Sequence, residues 1–135
     1  MQIDGGCHCG KVHYQADIDT NKTLICHCTD CQTMGGSAFR TVVLVNEDKL
    51  QLQGYIKDYI KTADSGNSRA QGFCPECGTH IYATSVGDAP KVYGVRLGTA
   101  NQRDQISPKM EIWCDSTQNW LGDIEGTKKF PKQPG

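Results

Sequence analysis

Seven of the eight cysteines fall into three tight clusters: Cys7-His8-Cys9-Gly10, Cys26-His27-Cys28-Thr29-Asp30-Cys31 and Cys74-Pro75-Glu76-Cys77-Gly78. Each has the spacing of a metal clip, so the chain is expected to fold around zinc. Two clips of two make one closed four-thiolate site. The clip of three leaves a zinc one ligand short, and an open coordination position is where chemistry can happen. Three thiolates on a divalent ion leave a net negative formal charge, which makes the centre a weak Lewis acid and a poor generator of hydroxide. Such a centre is better suited to capturing a fourth thiolate and keeping it deprotonated yet nucleophilic.

The clips work differently. Cys74-Pro75-Glu76-Cys77 is a knuckle, a turn in which two thiolates converge while backbone amides point at sulfur, and Gly78 supplies the positive φ such turns require. In Cys7-x-Cys9 the thiolates lie on one face of an extended segment, about 7 Å apart along the chain, and must lean together to share a metal. Cys26-x-Cys28-x-x-Cys31 joins an extended pair to a knuckle. Spacing alone does not choose the partition, because Cys28 and Cys31 could equally pair with Cys74 and Cys77, as in a zinc ribbon. Disulfides are disfavoured because no apolar leader segment precedes Gln2 and Ile3, so the expected location is the cytoplasm.

The elements that must hold these clips read as mainly β. Alternation or β-branched enrichment predicts strands at Val12–Ala16, Phe39–Val45, Leu50–Leu52, His80–Thr84, Val92–Leu97 and Met110–Trp113. Turn signals fall at Ala63–Asn67, Gly87–Pro90 and Ile106–Pro108. One short helix is expected after Thr29, ended by Gly35-Gly36. The 135 residues make a single small domain over 1–126, with Thr127–Gly135, bearing lysines and two prolines, as a loosely held tail. Lys and Arg total 14 against 15 acids, a net charge of -1, which offers no electrostatic case for nucleic acid or an anionic membrane as partner. There is also no run of about 18 apolar residues to span a bilayer.

Read in order, Gly6-Cys-His-Cys-Gly10, then Cys26-His-Cys-Thr-Asp-Cys31-Gln with Gly35-Gly-Ser37 and Phe39, then Gly72-Phe-Cys-Pro-Glu-Cys-Gly-Thr79 with Ile81-Tyr82, resembles the glutathione-dependent formaldehyde-activating enzyme family, which includes centromere-protein-V-like proteins. Val95-Arg-Leu-Gly-Thr99, Pro108 ahead of Ile112-Trp113, and Trp120 extend the likeness over roughly residues 3 to 121. The resemblance implies coiled antiparallel sheets built around zinc knuckles. It implies that Cys7, Cys9, Cys74 and Cys77 hold a structural zinc, and that Cys26, Cys28 and Cys31 hold an open, catalytic one. It further implies a carbon–sulfur lyase, with two zinc ions per chain and glutathione as co-substrate. In the family reaction a metal-held thiolate adds to formaldehyde to give S-hydroxymethylglutathione.

Other residues are candidates with simpler readings beside them. Gly35-Gly36-Ser37 could offer amides to a glutathione carboxylate, or simply end the helix. Arg40, Arg69 and Arg96 are candidate carboxylate partners, though each also reads as a solvated surface charge. Asp30 and Glu76 read as solvent-facing knuckle residues. The rings of His8 and His27 should point away from the flanking cysteines, His13 is a strand position, and His80 could orient a sulfur. Cys114 reads as a small buried hydrophobe, but as an eighth thiol it could also close the second zinc site and leave a scaffold without the chemistry. A protein-binding zinc module and a thiolate redox sensor are the remaining alternatives.

Overall fold

A computed structural model describes residues 1–62 and 66–134. Three residues of the turn expected at Ala63–Asn67 lie outside the described residues. Among the described residues, eleven strands form two sheets. In chain order they are β1 (Gln2–Gly6), β2 (His13–Asp17), β3 (Thr23–Cys26), β4 (Arg40–Asn46), β5 (Leu50–Gln53), β6 (Lys57–Thr62), β7 (Ser68–Phe73), β8 (His80–Ser85), β9 (Val92–Arg96), β10 (Met110–Ile112) and β11 (Lys128–Lys129). The small sheet has the order β1-β2-β5, and the large one β11-β10-β3-β4-β9-β8-β7-β6. The expectation of a mainly β, single small domain holds. All pairs are antiparallel except β3–β10 and β10–β11, which are parallel. The chain reaches β10 only after the long excursion through β4 to β9, so it can enter alongside β3 in the same direction.

The one α-helix among the described residues, α1 (Thr29–Gly35), starts and stops where the sequence directs. Cys28 caps it, its sulfur accepting the Cys31 N–H at 3.3 Å, and Gly36 closes it in the left-handed region at φ 63°. The knuckle and the helix start are therefore one structure.

Alternation sets the faces. In β2, Tyr14 and Ala16 are buried while His13 and Gln15 are exposed. Tyr14 and Ala16 join Ile3, Val12 and Ile18 against Val43, Val45, Ile81 and Val95 of the large sheet, forming the main core between the sheets. A second, smaller cluster, Leu24, Cys26, Cys31, Val42 and Ile112, lies beneath α1. β7 approaches β8 closely, since a Cβ on Gly72 would sit 2.4 Å from Tyr82 Cζ.

Residues 127–134, expected to be loosely held, instead run along β10. Lys128 and Phe130 donate backbone N–H groups to Lys109 and Glu111, and Trp113, Cys114 and Asp115 donate to Lys132, Phe130 and Pro131, all at 2.9–3.1 Å. The lysines stay exposed while their backbone pairs, and Phe130 packs on the smaller cluster.

Candidate metal centre

Two hairpin turns build the first cysteine group. Between β1 and β2, Cys7 donates its N–H to the Val12 carbonyl (3.0 Å), Gly10 closes the turn at φ 83°, and Val12 returns an N–H to Cys7 Sγ at 3.2 Å. Between β7 and β8, Cys74 and Thr79 are bonded (2.9 Å), Gly78 donates to the Cys74 carbonyl, and Gly78 has the expected positive φ of 78°. The turns belong to different sheets, so whatever joins them joins the sheets. Sulfurs of Cys7, Cys9, Cys74 and Cys77 all lie within 4.8 Å of one another. Cys7–Cys9 and Cys9–Cys74 are 3.6 and 3.7 Å apart. A tetrahedral zinc with four sulfurs at about 2.3 Å has an edge of about 3.8 Å, so the donor set and spacing fit that ion. Thr79 Oγ1 lies 3.3 Å from Cys77 Sγ, and this hydroxyl, with the Thr79 N–H, holds the Cys77 thiol down to about 5.

The second group comprises Cys26 at the end of β3, Cys28 at the helix cap and Cys31 in the first turn of α1. Their sulfurs also lie within 4.8 Å of one another, with no fourth described cysteine, histidine or carboxylate completing the set. The zinc-ribbon pairing is not formed. Hydrogen bonds from Cys26 and Cys31 hold the Cys28 thiol well below the ordinary thiol range, assisted by the Cys31 N–H and the charge of Lys61.

One face of the large sheet runs behind this group. Cys26 is the register partner of Arg40, Val42 is the partner of Arg96, and Gln71, Arg69 and Lys61 follow on the same face across β7 and β6. Arg40 and Arg96 are buried, at 8% and 9% exposure, rather than solvated. Arg40 Nε donates to the Cys31 carbonyl (3.3 Å) and Arg96 Nη2 to Gln71 Oε1 (3.0 Å). Neither has an ion-pair partner among the described residues, and Arg40 Nη1 and Arg96 Nε lack any hydrogen-bond partner. Burial, reinforced by Arg40, pushes Arg96 down to about 10. Arg69 is half-buried.

The remaining candidates separate clearly. Gly36 and Ser37 spend their N–H groups on the Gln32 carbonyl and end the helix. Asp30 pairs with Lys61 at 2.5 Å and Glu76 with Lys11 at 3.8 Å. His8 and His13 are exposed. His80 makes no bond to sulfur; it stacks on Phe73, and burial together with Arg40 and Arg96 keeps its pKa below the usual value.

His27 and Cys114 meet in a place the motifs did not show. The wholly buried His27 ring lies 2.8 Å from Glu111 Oε1, and the other carboxylate oxygen accepts from Thr127 Oγ1 and pairs with Lys129 at 3.2 Å. Cys114 Sγ donates to the Glu111 carbonyl at 3.6 Å and groups with His27 and Glu111, so it is not a fourth ligand of the Cys26 group. Although three potential ligands converge here, the ammonium of Lys129 already occupies the carboxylate. The signal in the sequence was only the alternation placing Glu111 inside Met110–Trp113.

Two clefts border these groups. The larger, about 720 Å³, lies beside the four-cysteine turns against Cys7, His8, Tyr14 and Thr79. The other, about 510 Å³, lies against α1 between Gln32, Thr33, Ser37, Gln118 and the exposed Trp120. Size favours the first, but only the second adjoins the helix that carries Cys31.

Known proteins fit this architecture. A crystal structure of a Rhodobacter sphaeroides protein superposes with a TM-score of 0.56 at 20% identity, covering 76% of this chain and 94% of that one, which supports the fold. An uncharacterised lyase of Schizosaccharomyces pombe is 26% identical over 81 residues, covering 60% of this chain. The match spans only 56% of that protein's length. The model of the glutathione-dependent formaldehyde-activating enzymes matches residues 2–116, a span that contains both cysteine groups and the buried arginines. By that match the chain belongs to the glutathione-dependent formaldehyde-activating enzyme family.

Proposed function

We propose that the chain is a zinc-dependent carbon–sulfur lyase acting on glutathione adducts of formaldehyde or a similar small electrophile, with two zinc ions per chain. The observation that carries this reading is the inequality of the two cysteine groups: four sulfurs close one site, while three leave the other open beside buried cations. Zinc, when bound to the open group, supplies an acceptor that keeps an incoming thiol deprotonated yet nucleophilic.

The chain's own groups do the rest. Cys26, Cys28 and Cys31 fix three positions, and the Cys31 N–H orients Cys28. Arg40 and Arg96 raise the local positive potential and so favour an arriving thiolate. The cleft along α1, with Gln32, Ser37 and Trp120, is where the peptide of glutathione would lie. The reaction forms one sulfur–carbon bond, and the thiol proton ends on the carbonyl oxygen; the reverse breaks the same bond. No oxidation state changes, so no redox cofactor is required.

The closed group serves as a structural staple between the sheets. A small-molecule substrate and a cytoplasmic location accord with the near-neutral charge, and no helix among the described residues is long and apolar enough to cross a membrane. The test is Cys28→Ala assayed for S-hydroxymethylglutathione by NMR. Loss of glutathione-dependent formation with the fold and one zinc retained is expected; full turnover would contradict the assignment.

A further inference from the structure

The arginine pair poses a question that the cysteines do not answer. Arg40 and Arg96 are each more than nine-tenths buried as residues on the same face as Cys26, and neither meets a carboxylate among the described residues. Buried charges are normally paired, and buried N–H donors normally have acceptors. Negative charge on three thiolates can offset a cation from a distance, but it does not satisfy a donor that touches no acceptor atom. Arg40 Nη1 and Arg96 Nε are such donors, and His80 Nδ1 is a third buried ring atom without a partner, close enough to both guanidiniums for their charges to disfavour its protonation. Nor are the cations held apart by chance packing. Arg40 is fixed through the Cys31 carbonyl and by the packing of its stem against Gly35, and Arg96 is fixed through Gln71.

We propose that Arg40 and Arg96 form a carboxylate-binding site beside the three-cysteine group. A planar, forked donor pair suits a carboxylate. Two sources share this chemistry. One is an electrophile that itself bears a carboxylate next to its carbonyl, such as glyoxylate. There the thiol sulfur bonds to the aldehyde carbon, the thiol proton goes to the aldehyde oxygen, and the carboxylate is unchanged. The other is a carboxylate of the thiol. The placement rests on the lyase reading only in setting the reacting sulfur at the cysteine group; binding of the anion does not depend on turnover.

The test is a titration of the zinc-loaded protein followed through the arginine Nε–H resonances, at constant ionic strength set with chloride. The probes are formate, glyoxylate, glutathione and the carboxylate-free thiol 2-mercaptoethanol. Saturable shifts of Arg40 and Arg96 with formate or glyoxylate are expected, weakened about tenfold or more in Arg96→Gln and less in Arg96→Lys. A response to glutathione but not to formate, glyoxylate or 2-mercaptoethanol assigns the site to the thiol's own carboxylate. Wild-type resonances that respond to no carboxylate, as they would if only water met these donors, overturn the proposal without recourse to any variant. So does binding left unchanged by Arg96→Gln. A chain that binds formate here yet forms no thiol adduct refutes the lyase reading and keeps the site; turnover without carboxylate binding does the reverse.

Discussion

The two cysteine groups use the same ligand and stand in opposite surroundings. Cys7, Cys9, Cys74 and Cys77 come from two hairpin turns of different sheets, border the main core, and are met by neutral donors: the Val12 N–H and Thr79. Cys26, Cys28 and Cys31 come from one stretch of chain, border the smaller core, and stand against Arg40, Arg96 and Lys61. On the proposed reading, the long-range, four-sulfur group in neutral surroundings holds the fold together, and the local, three-sulfur group in cationic surroundings gains little for the fold and leaves room for an anionic ligand.

That contrast breaks first, and most severely, at Cys74. It is fully buried and belongs to the group that links the sheets, so Cys74→Ser should remove a metal-linked term comparable with the whole stability of a small domain, about 5–15 kcal/mol. Far-UV circular dichroism and zinc content should show an unfolded or aggregated chain, whereas Cys28→Ala should remain folded with one zinc. Were the two variants equally disruptive, the division into staple and working site would be wrong.

Chelator titration sharpens the same point. Zinc should leave in two phases, the first without loss of circular dichroism and slowed by glutathione, the second together with unfolding. A single phase accompanied by unfolding would place both ions in one structural role.

The clasp of His27 and Glu111 should give an intermediate effect. Glu111→Gln keeps the shape but loses charge-assisted hydrogen bonds, at a cost of about 1–3 kcal/mol in denaturant melts. Bonds from Thr127, His27 and Lys129 outweigh burial and hold the Glu111 pKa below its ordinary value of 4.5. A lowered carboxylate pKa contributes stability in full above the unfolded value, and that contribution is lost as pH falls through the folded one. The difference between wild type and Glu111→Gln should therefore be constant near neutrality and shrink below about pH 4.5. The smallest effect is expected at Thr79→Val, which removes the hydroxyl beside Cys77 Sγ. Zinc affinity of the closed group should fall about tenfold, and turnover should be unchanged.

Much of this was legible in the residues. The three clips, the helix between Thr29 and Gly36, and six strands follow from ligand spacing, a glycine stop and alternation. Five strands escaped for local reasons. β3 is four buried residues without alternation, β6 is nearly all exposed, β1 ends in two glycines, β7 mixes small and polar residues, and β11 is two lysines. The sequence offers Arg40, Arg69 and Arg96 alike as carboxylate partners or solvated charges and does not rank them, because burial depends on register: nothing within Phe39–Val45 reveals that Arg40 faces Cys26 across a strand pair. His27 and Glu111 are 84 residues apart and meet only because β10 runs parallel to β3. The partition of the cysteines likewise became visible only when two hairpin turns from separate sheets were seen to converge.

The most direct test of the open group is native mass spectrometry of the zinc-loaded chain titrated with glutathione, reading metal count and adduct mass in one spectrum. Two zinc ions and one saturable glutathione are expected, with Cys28→Ala keeping one zinc and losing the adduct. Two zinc ions with no adduct at any glutathione concentration, or an adduct that survives Cys28→Ala, would contradict an open, thiol-accepting site.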